Sequence, residues 1–142
     1  MLGLILSVIL GSCTQEKKSP LEGEWRLAYE YEISDGVTTV IYPGASEGTE
    51  IKIWSGDYWM LLGRFDQDTG FTQNYGGGTY RLEGNRYEEI VQFHSAPEYL
   101  DQTVQLLVEF KKDTVIQTWP VDANGEVITD GAYYIEKWAR IK

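Results

Sequence analysis

The sequence predicts an all-β protein, an antiparallel up-and-down β-barrel of about eight or nine strands. Apolar and polar residues alternate with a period of two along most of the chain from Leu21 onward, which is typical of strands that bury one face. Short segments rich in Gly, Asp, Asn and Ser separate these stretches and supply turns. No long window beyond Leu21 repeats its apolar residues about every 3.6 positions, so no long helix is predicted.

The first half of this region contains four predicted strands. The first strand alternates strictly, with mostly charged side chains on one face. Its other face is expected to hold Trp25, Leu27, Tyr29, Tyr31 and Ile33. Ser34-Asp35-Gly36 forms a turn before a β-branched and aromatic second strand, and residues 43–48 form a loop before the third. The four strands are residues 24–33, 37–42, 50–54 and 58–65.

Five further strands are predicted at residues 71–82, 86–94, 103–111, 114–119 and 132–141. Gly76-Gly77-Gly78 interrupts the first of them, which indicates a bend at a barrel corner or a close backbone approach. Residues 95–102 contain Pro97 and are expected to form a longer crossing or one helical turn. Short links favour the pairing of consecutive strands and therefore an up-and-down barrel over a Greek-key sandwich. Closure of the barrel also removes exposed sheet edges. A barrel of about eight strands holds either side chains or one small ligand.

The N-terminal residues predict a targeting signal. The apolar run Met1–Leu10 is too short to span a bilayer, which takes about 20 residues, but it has the length of a signal-peptide core. Leu10-Gly11-Ser12-Cys13 resembles the lipobox of bacterial lipoproteins, in which the cysteine is lipidated, although no Lys or Arg precedes the run. The resemblance implies a signal peptide at 1–12, a lipidated tether at 13–20 and a barrel domain at 21–142. The alternative is a buried strand with Cys13 as a core thiol.

Charge and composition narrow the function classes. The chain has 12 Lys and Arg against 22 Asp and Glu, a net charge of −10, which argues against nucleic-acid binding. One Cys and one His exclude a disulfide framework and a multi-histidine metal centre. His94 is the one candidate for a haem ligand or a catalytic base, and an exposed loop residue is the simpler interpretation. No metal, cofactor or catalytic residue is predicted, and the protein is expected not to be an enzyme.

The segment Gly23-Glu24-Trp25 resembles the Gly-x-Trp motif of lipocalins and related calycins. In that family the Trp seals the closed end of the barrel, and a basic residue of the last strand lies across its indole. Arg140 is the matching residue here, so the resemblance implies barrel closure by Gly23, Trp25, Trp138 and Arg140. The family's Thr-Asp-Tyr motif is missing.

Two further segments extend the resemblance to most of the chain. Gly76–Glu89 and Ile135–Arg140 look like parts of a group of uncharacterised lipocalin-like lipoproteins of Gram-negative bacteria. Thr14 differs from the Asp that marks inner-membrane retention in such lipoproteins, which favours the outer membrane. The resemblance therefore implies a lipid-anchored domain of the cell envelope that touches the membrane only through its lipid. It implies a fold rather than an activity.

The candidate ligand-binding residues are Trp59, Tyr80, Tyr87, Glu89 and Glu136. Tyr87 and Glu89 share one strand face, and Glu136 shares a face with Trp138 and Arg140. If both faces point inward, they place a few polar groups in an otherwise apolar cavity, as ligand pockets require. The predicted function is non-catalytic binding of a small, largely apolar molecule. The alternative for the same residues is a structural ion pair between Arg140 and a Glu.

A second hypothesis makes the protein an interaction module of the envelope, an inhibitor or an assembly factor. It rests on the acidic surface and on aromatic residues expected to be exposed, such as Trp54, Tyr75 and Tyr99. The apolar run Tyr58–Leu62 adds to it, because alternate residues of a barrel strand must face outward.

Overall fold

The computed structural model describes residues 18–44 and 47–142, and within them the chain forms nine strands and one short 3-10 helix. The predicted signal peptide and Cys13 lie outside the described residues. The elements are β1 Gly23–Ser34, β2 Val37–Tyr42, β3 Gly48–Ser55, β4 Tyr58–Gln67, β5 Gly70–Glu83, β6 Arg86–His94, the 3-10 helix Pro97–Tyr99, β7 Thr103–Lys111, β8 Thr114–Trp119 and β9 Tyr133–Arg140. No helix among these residues is long and apolar enough to cross a membrane.

The strands form one closed antiparallel barrel, which confirms the predicted fold class. Strands β3 to β9 pair in chain order, and β1 closes the barrel by pairing with both β3 and β9. Eight strands therefore form the barrel. Strand β2 is an additional strand that pairs only with the second half of β1, from Glu30 to Ser34. All nine strands were predicted, because each alternating segment ends at a turn-forming pair or triplet.

A β-bulge in β1 changes which side chains face the interior. The pairing with β9 shifts between Leu27 and Tyr29, which makes Ala28 an extra residue in β1. Such a shift moves the following side chains to the opposite face of the sheet. Tyr29 is consequently exposed, whereas Glu30 lines the interior. The prediction of one unbroken apolar face along residues 24–33 is wrong beyond this bulge.

The glycine run in β5 gives space to Trp59 of β4. A side chain at Gly76 would approach the Trp59 ring to 3.0 Å, and a side chain at Gly78 would collide with the backbone oxygen of Ile90. The register between β5 and β6 also shifts between Gly77 and Gly78. The interpretation as a close backbone approach is therefore confirmed, and the approach coincides with an irregularity in the pairing of β5 with β6.

The closed end of the barrel holds an aromatic core. Trp25 and Trp54 meet edge to face at 6.2 Å between ring centroids, and the Trp54 indole donates a hydrogen bond of 2.7 Å to the Tyr87 hydroxyl. The Trp25 indole donates one of 2.7 Å to the carbonyl oxygen of Leu21. Trp54 is only 1% exposed. The expectation that Trp54 lies on the surface is therefore wrong, because it shares its strand face with the interior residues of β3.

Candidate functional site

A cavity of about 510 Å³ occupies the barrel between this aromatic core and the opposite, open end. Apolar and aromatic side chains make up much of its wall, among them Trp59, Leu61, Val91, Trp119 and Trp138. Four carboxyl groups and one ammonium group also line it, namely Glu30, Glu50, Glu89, Glu136 and Lys52. A cavity of this size has the dimensions of a small-molecule pocket.

Lys52 of β3 is a buried cation on the cavity wall nearest the closed end. Its ammonium forms an ion pair with Glu89 and donates a hydrogen bond of 3.1 Å to the side-chain oxygen of Gln117. Lys52 is only 4% exposed. Four aromatic rings surround the ammonium with centroids at 5.2–5.9 Å, those of Trp54, Trp59, Tyr87 and Trp138. The ion pair and the rings together compensate the lost hydration of Lys52.

The other three cavity carboxyls come from three different strands, β1, β3 and β9. Glu136 accepts hydrogen bonds from the indoles of Trp119 at 2.8 Å and Trp138 at 2.9 Å. Glu50 accepts one of 2.9 Å from the side-chain amide of Asn74. Within the described part of the chain, Glu30, Glu50 and Glu136 form no ion pair.

This arrangement raises the pKa of two of these carboxyls. Burial, followed by the nearby charges of Glu136 and Glu50, raises the pKa of Glu30 from 4.5 to about 7. Burial also raises the pKa of Glu50, and the charge of Glu136 acts in the same direction, while the hydrogen bond from Asn74 opposes it. The cluster therefore holds protons at a pH at which exposed glutamates are ionised.

Two buried donors near these groups lack a hydrogen-bond acceptor. The indole nitrogen of Trp59 and the side-chain nitrogen of Gln117 have no partner within the described residues. Trp59 is 4% exposed and lines the cavity. An unsatisfied buried donor costs about 1–3 kcal/mol, and of these two side chains only Trp59 belongs to the cavity wall.

Three of the five candidate ligand-binding residues line the cavity, and two do not. Trp59, Glu89 and Glu136 are in its wall. Tyr80 and Tyr87 pack against each other at 5.5 Å in the core, closer to the closed end. Burial raises the pKa of Tyr87 well above its usual value. Tyr87 reaches the site indirectly, because its hydroxyl donates a hydrogen bond of 3.0 Å to Glu89.

Arg140 lies at the closed end, away from the carboxyl groups. Its guanidinium carbon lies 4.1 Å from the Trp25 ring centroid, and its nitrogens donate to the backbone oxygens of Glu22 at 2.7 Å and Pro20 at 3.1 Å. The alternative interpretation, an ion pair between Arg140 and a glutamate, is therefore wrong within the described residues. Lys52 is the cation that pairs with a buried glutamate. Gly23 lies beside Arg140, where a side chain would come within 2.8 Å of the guanidinium.

The rings of His94 and Tyr99 belong to the cavity wall, beside the end of β6 and in the 3-10 helix. The His94 ring lies 4.7 Å from Tyr99, and its Nδ1 accepts a hydrogen bond of 2.9 Å from the backbone of Ala96. Both rings line the cavity and are half-buried. The predictions that His94 and Tyr99 are exposed are therefore wrong, because the 3-10 helix folds Tyr99 back over the end of β6. Tyr75 is exposed, as predicted.

Sequence reasoning missed Glu30, Glu50 and Lys52. In Glu50-Ile51-Lys52-Ile53-Trp54 the two isoleucines are the apolar alternating pair, yet the charged residues face the interior. The position of Trp54 is a signal for this orientation, since it shares a face with Glu50 and Lys52. Nothing in the sequence indicated Glu30, because the bulge that turns its side chain inward is hidden by the regular alternation of residues 24–33.

No protein-family model, curated protein or solved structure matches the chain. The closed antiparallel barrel of eight strands is compatible with a lipocalin-like fold. Among residues 18–44 and 47–142, no group of three His, Cys, Asp or Glu side chains is arranged to hold a metal ion.

Proposed function

We propose that this protein is a lipid-anchored barrel of the cell envelope that binds a small molecule in its interior without transforming it. The observation that carries the proposal is the cavity of about 510 Å³, whose wall combines apolar and aromatic side chains with charged and polar ones. Such a composition suits a ligand with a substantial apolar part. The rigid strands on all sides hold these side chains in fixed positions, which favours binding by limiting the entropy lost on association.

Native mass spectrometry of the protein purified from its own cells tests this proposal. We expect a small molecule retained unchanged on the wild-type protein. Leu61→Trp enlarges a side chain in the cavity wall and is expected to abolish the retained mass. The matched control is Leu62→Trp on the neighbouring, outward-facing position. Equal retention by Leu61→Trp and the control would place the binding site outside the cavity.

The proposed anchor at Cys13 has a separate test. Cys13→Ser removes the thiol to which a lipobox directs the lipid, so the variant is expected to lose the added lipid mass and to remain uncleaved after residue 12. Intact mass measurement of membrane and soluble fractions shows both effects. Wild-type protein without a lipid-sized mass increase would contradict the anchor, while the proposed cavity function would be unaffected. Separation of inner and outer membranes tests the proposed outer-membrane location.

A second candidate function, docking of a protein partner, is favoured by an outward apolar surface on β4, β5 and β6. Met60, Leu62, Tyr75 and Phe93 are all exposed, and the register places them side by side across the three strands. Exposed apolar groups that adjoin in this way are typical of interaction sites. Phe93→Ser is expected to release a partner that Leu61→Trp retains, as measured by co-purification from solubilised envelope at low and high salt.

A further inference from the structure

The cavity wall carries more negative than positive groups. Lys52 is committed to Glu89, with which it forms an ion pair. Glu30, Glu50 and Glu136 remain as carboxyls without a cation among the described residues. A partly buried carboxylate is strongly destabilised unless an opposite charge or hydrogen-bond donors compensate it. Protonation reduces this charge, since burial and the charges of Glu136 and Glu50 raise the pKa of Glu30 to about 7.

Aromatic rings lie beside these carboxyls on the same wall. Trp119 and Trp138 are held by hydrogen bonds from their indole nitrogens to Glu136. Both rings line the cavity. Carboxylates next to indole rings form a favourable environment for an ammonium group, because the charge attracts the cation and the ring face replaces part of its hydration.

A second, independent observation concerns Trp59. Its indole N–H is buried, lacks an acceptor and belongs to the wall of the same cavity. A cation alone cannot satisfy this donor, since the indole nitrogen only donates. An oxygen or another acceptor atom on the ligand would satisfy this donor.

We propose that the ligand of the cavity is an organic cation, an amine or quaternary ammonium compound, that also carries a hydrogen-bond acceptor. This inference rests on the proposed binding function and specifies the chemistry of its ligand. Glu30, Glu50 and Glu136 bind the cationic group together with the indole rings, and Trp59 donates to the acceptor. Lys52 does not repel the cation strongly, because Glu89 neutralises it locally.

Three probes of nearly identical shape test the charge preference. Choline has a trimethylammonium group and a hydroxyl, 3,3-dimethylbutan-1-ol replaces the charged nitrogen by carbon, and 3,3-dimethylbutanoate is the corresponding anion. Isothermal titration calorimetry of the full chain in an uncharged maltoside detergent compares their affinities under identical conditions. We expect choline to bind at least about 10-fold more tightly than the neutral alcohol and the anion not to bind.

Variants assign the effect to the cavity carboxyls. Glu50→Gln is expected to weaken choline binding by about 5- to 10-fold and to leave the neutral alcohol within about twofold. Glu24→Gln is the matched control, because it removes the same charge from the outer face of β1. Trp59→Phe removes the donor and keeps an aromatic ring. It is expected to weaken choline and the alcohol by a similar factor of about 3 to 10.

The dependence on pH provides another measurement. Glu30 lies opposite Glu136 of β9 and near the charge of Glu50 of β3, and its register partner on β2 is Tyr42. Lys52 lines the same cavity but pairs with Glu89. A cation favours the ionised carboxylate, so choline binding at pH 7 is expected to release protons. Calorimetry in two buffers of different ionisation enthalpy measures that release. The neutral alcohol is expected to release none.

The results separate this inference from the proposed function. Equal or tighter binding of the neutral alcohol, or preference for the anion, would overturn the cationic ligand and leave the cavity function intact. Absence of choline binding would do the same if native mass spectrometry shows a retained molecule that Leu61→Trp removes. If native mass spectrometry shows no retained molecule on the wild-type protein, the proposed function itself is contradicted.

Discussion

Glu30 lies directly opposite Glu136 in the ladder between β1 and β9, and both side chains line the cavity. Like charges at opposed positions of a sheet destabilise it, and burial adds to the effect. A barrel optimised only for stability would place apolar residues here. The pair therefore destabilises the folded barrel. A positively charged group bound in the cavity beside both carboxyls would offset this destabilisation.

The first prediction concerns the stability of the unliganded barrel. Glu30 has a folded-state pKa of about 7 against 4.5 in the unfolded chain, so the folded state binds the proton more tightly. Its contribution to stability is fully present below pH 4.5 and is lost as the pH rises through about 7. Glu30→Gln is therefore expected to be more stable than wild type by about 1–2 kcal/mol at pH 8, a value reduced for partial solvent exposure.

Urea unfolding at pH 8 and pH 4.5 measures this difference. At pH 4.5 the two proteins are expected to agree within about 0.5 kcal/mol, because Glu30 is then protonated in the folded wild type. Glu24→Gln, on the outer face of the same strand, is the control for a simple change in net charge. If Glu30→Gln is less stable than wild type at pH 8, then Glu30 is ionised in the folded protein and its charge is stabilised by neighbouring groups.

The fold was predictable because its determinants are local. Most strands are stretches of alternating or β-branched and aromatic residues, and turn-forming residues such as Ser34-Asp35-Gly36 or Glu83-Gly84-Asn85 end them. The direction of each face was less predictable. Alternation gives two faces but does not say which one points inward, and in β3 the charged face does. The bulge at Ala28 adds a single residue whose effect appears only in the pairing with β9.

The site was predictable only in part for the same reason. Glu136 and Glu89 were identified because each shares a face with large aromatic residues. Glu50 and Lys52 belong to β3 and Glu30 to β1, and Glu30 meets Glu136 of the distant strand β9 only once β1 has paired with both β3 and β9. The ion pair between Lys52 and Glu89 joins residues whose contact depends on the curvature of the whole barrel.

The second prediction concerns that ion pair. Lys52→Met leaves Glu89 buried without its cation and is expected to lower the free energy of unfolding by about 3–5 kcal/mol. Adding Glu89→Gln is expected to recover at least about 1 kcal/mol, so the double-mutant cycle gives a positive coupling. Lys111→Met, in the exposed pair with Glu109, is the control and is expected to cost less than about 1 kcal/mol. Additive losses at Lys52 and Glu89 would contradict a direct pair.

The third prediction concerns the glycine run of β5. A methyl group at Gly78 would collide with the backbone oxygen of Ile90, and a backbone atom in a ladder cannot move aside easily. Gly78→Ala is therefore expected to cost about 2–3 kcal/mol or more. Gly131→Ala is the control, because nothing lies near its added methyl group. Thermal unfolding of both variants measures the difference, and equal midpoints would show that β5 can shift away from β6.

The last prediction concerns the closed end. Arg140 stacks on Trp25 and donates hydrogen bonds to the backbone oxygens of Glu22 and Pro20, so it ties the segment before β1 to the end of β9. Arg140→Lys keeps the charge but loses the planar group that makes these contacts together. It is expected to cost about 1–2 kcal/mol.

Two measurements distinguish this tie from a general effect of charge. Arg26→Lys, an exposed arginine of β1, is expected to change stability by less than about 0.5 kcal/mol in urea unfolding. Hydrogen exchange of the amides around Glu22 is expected to accelerate in Arg140→Lys, while that of β5 stays unchanged, because only the N-terminal segment loses its tether. Faster exchange throughout the barrel would mean instead that Arg140 stabilises the whole fold. Unchanged exchange around Glu22 would show that the segment is held by Trp25 and Leu21 without the guanidinium.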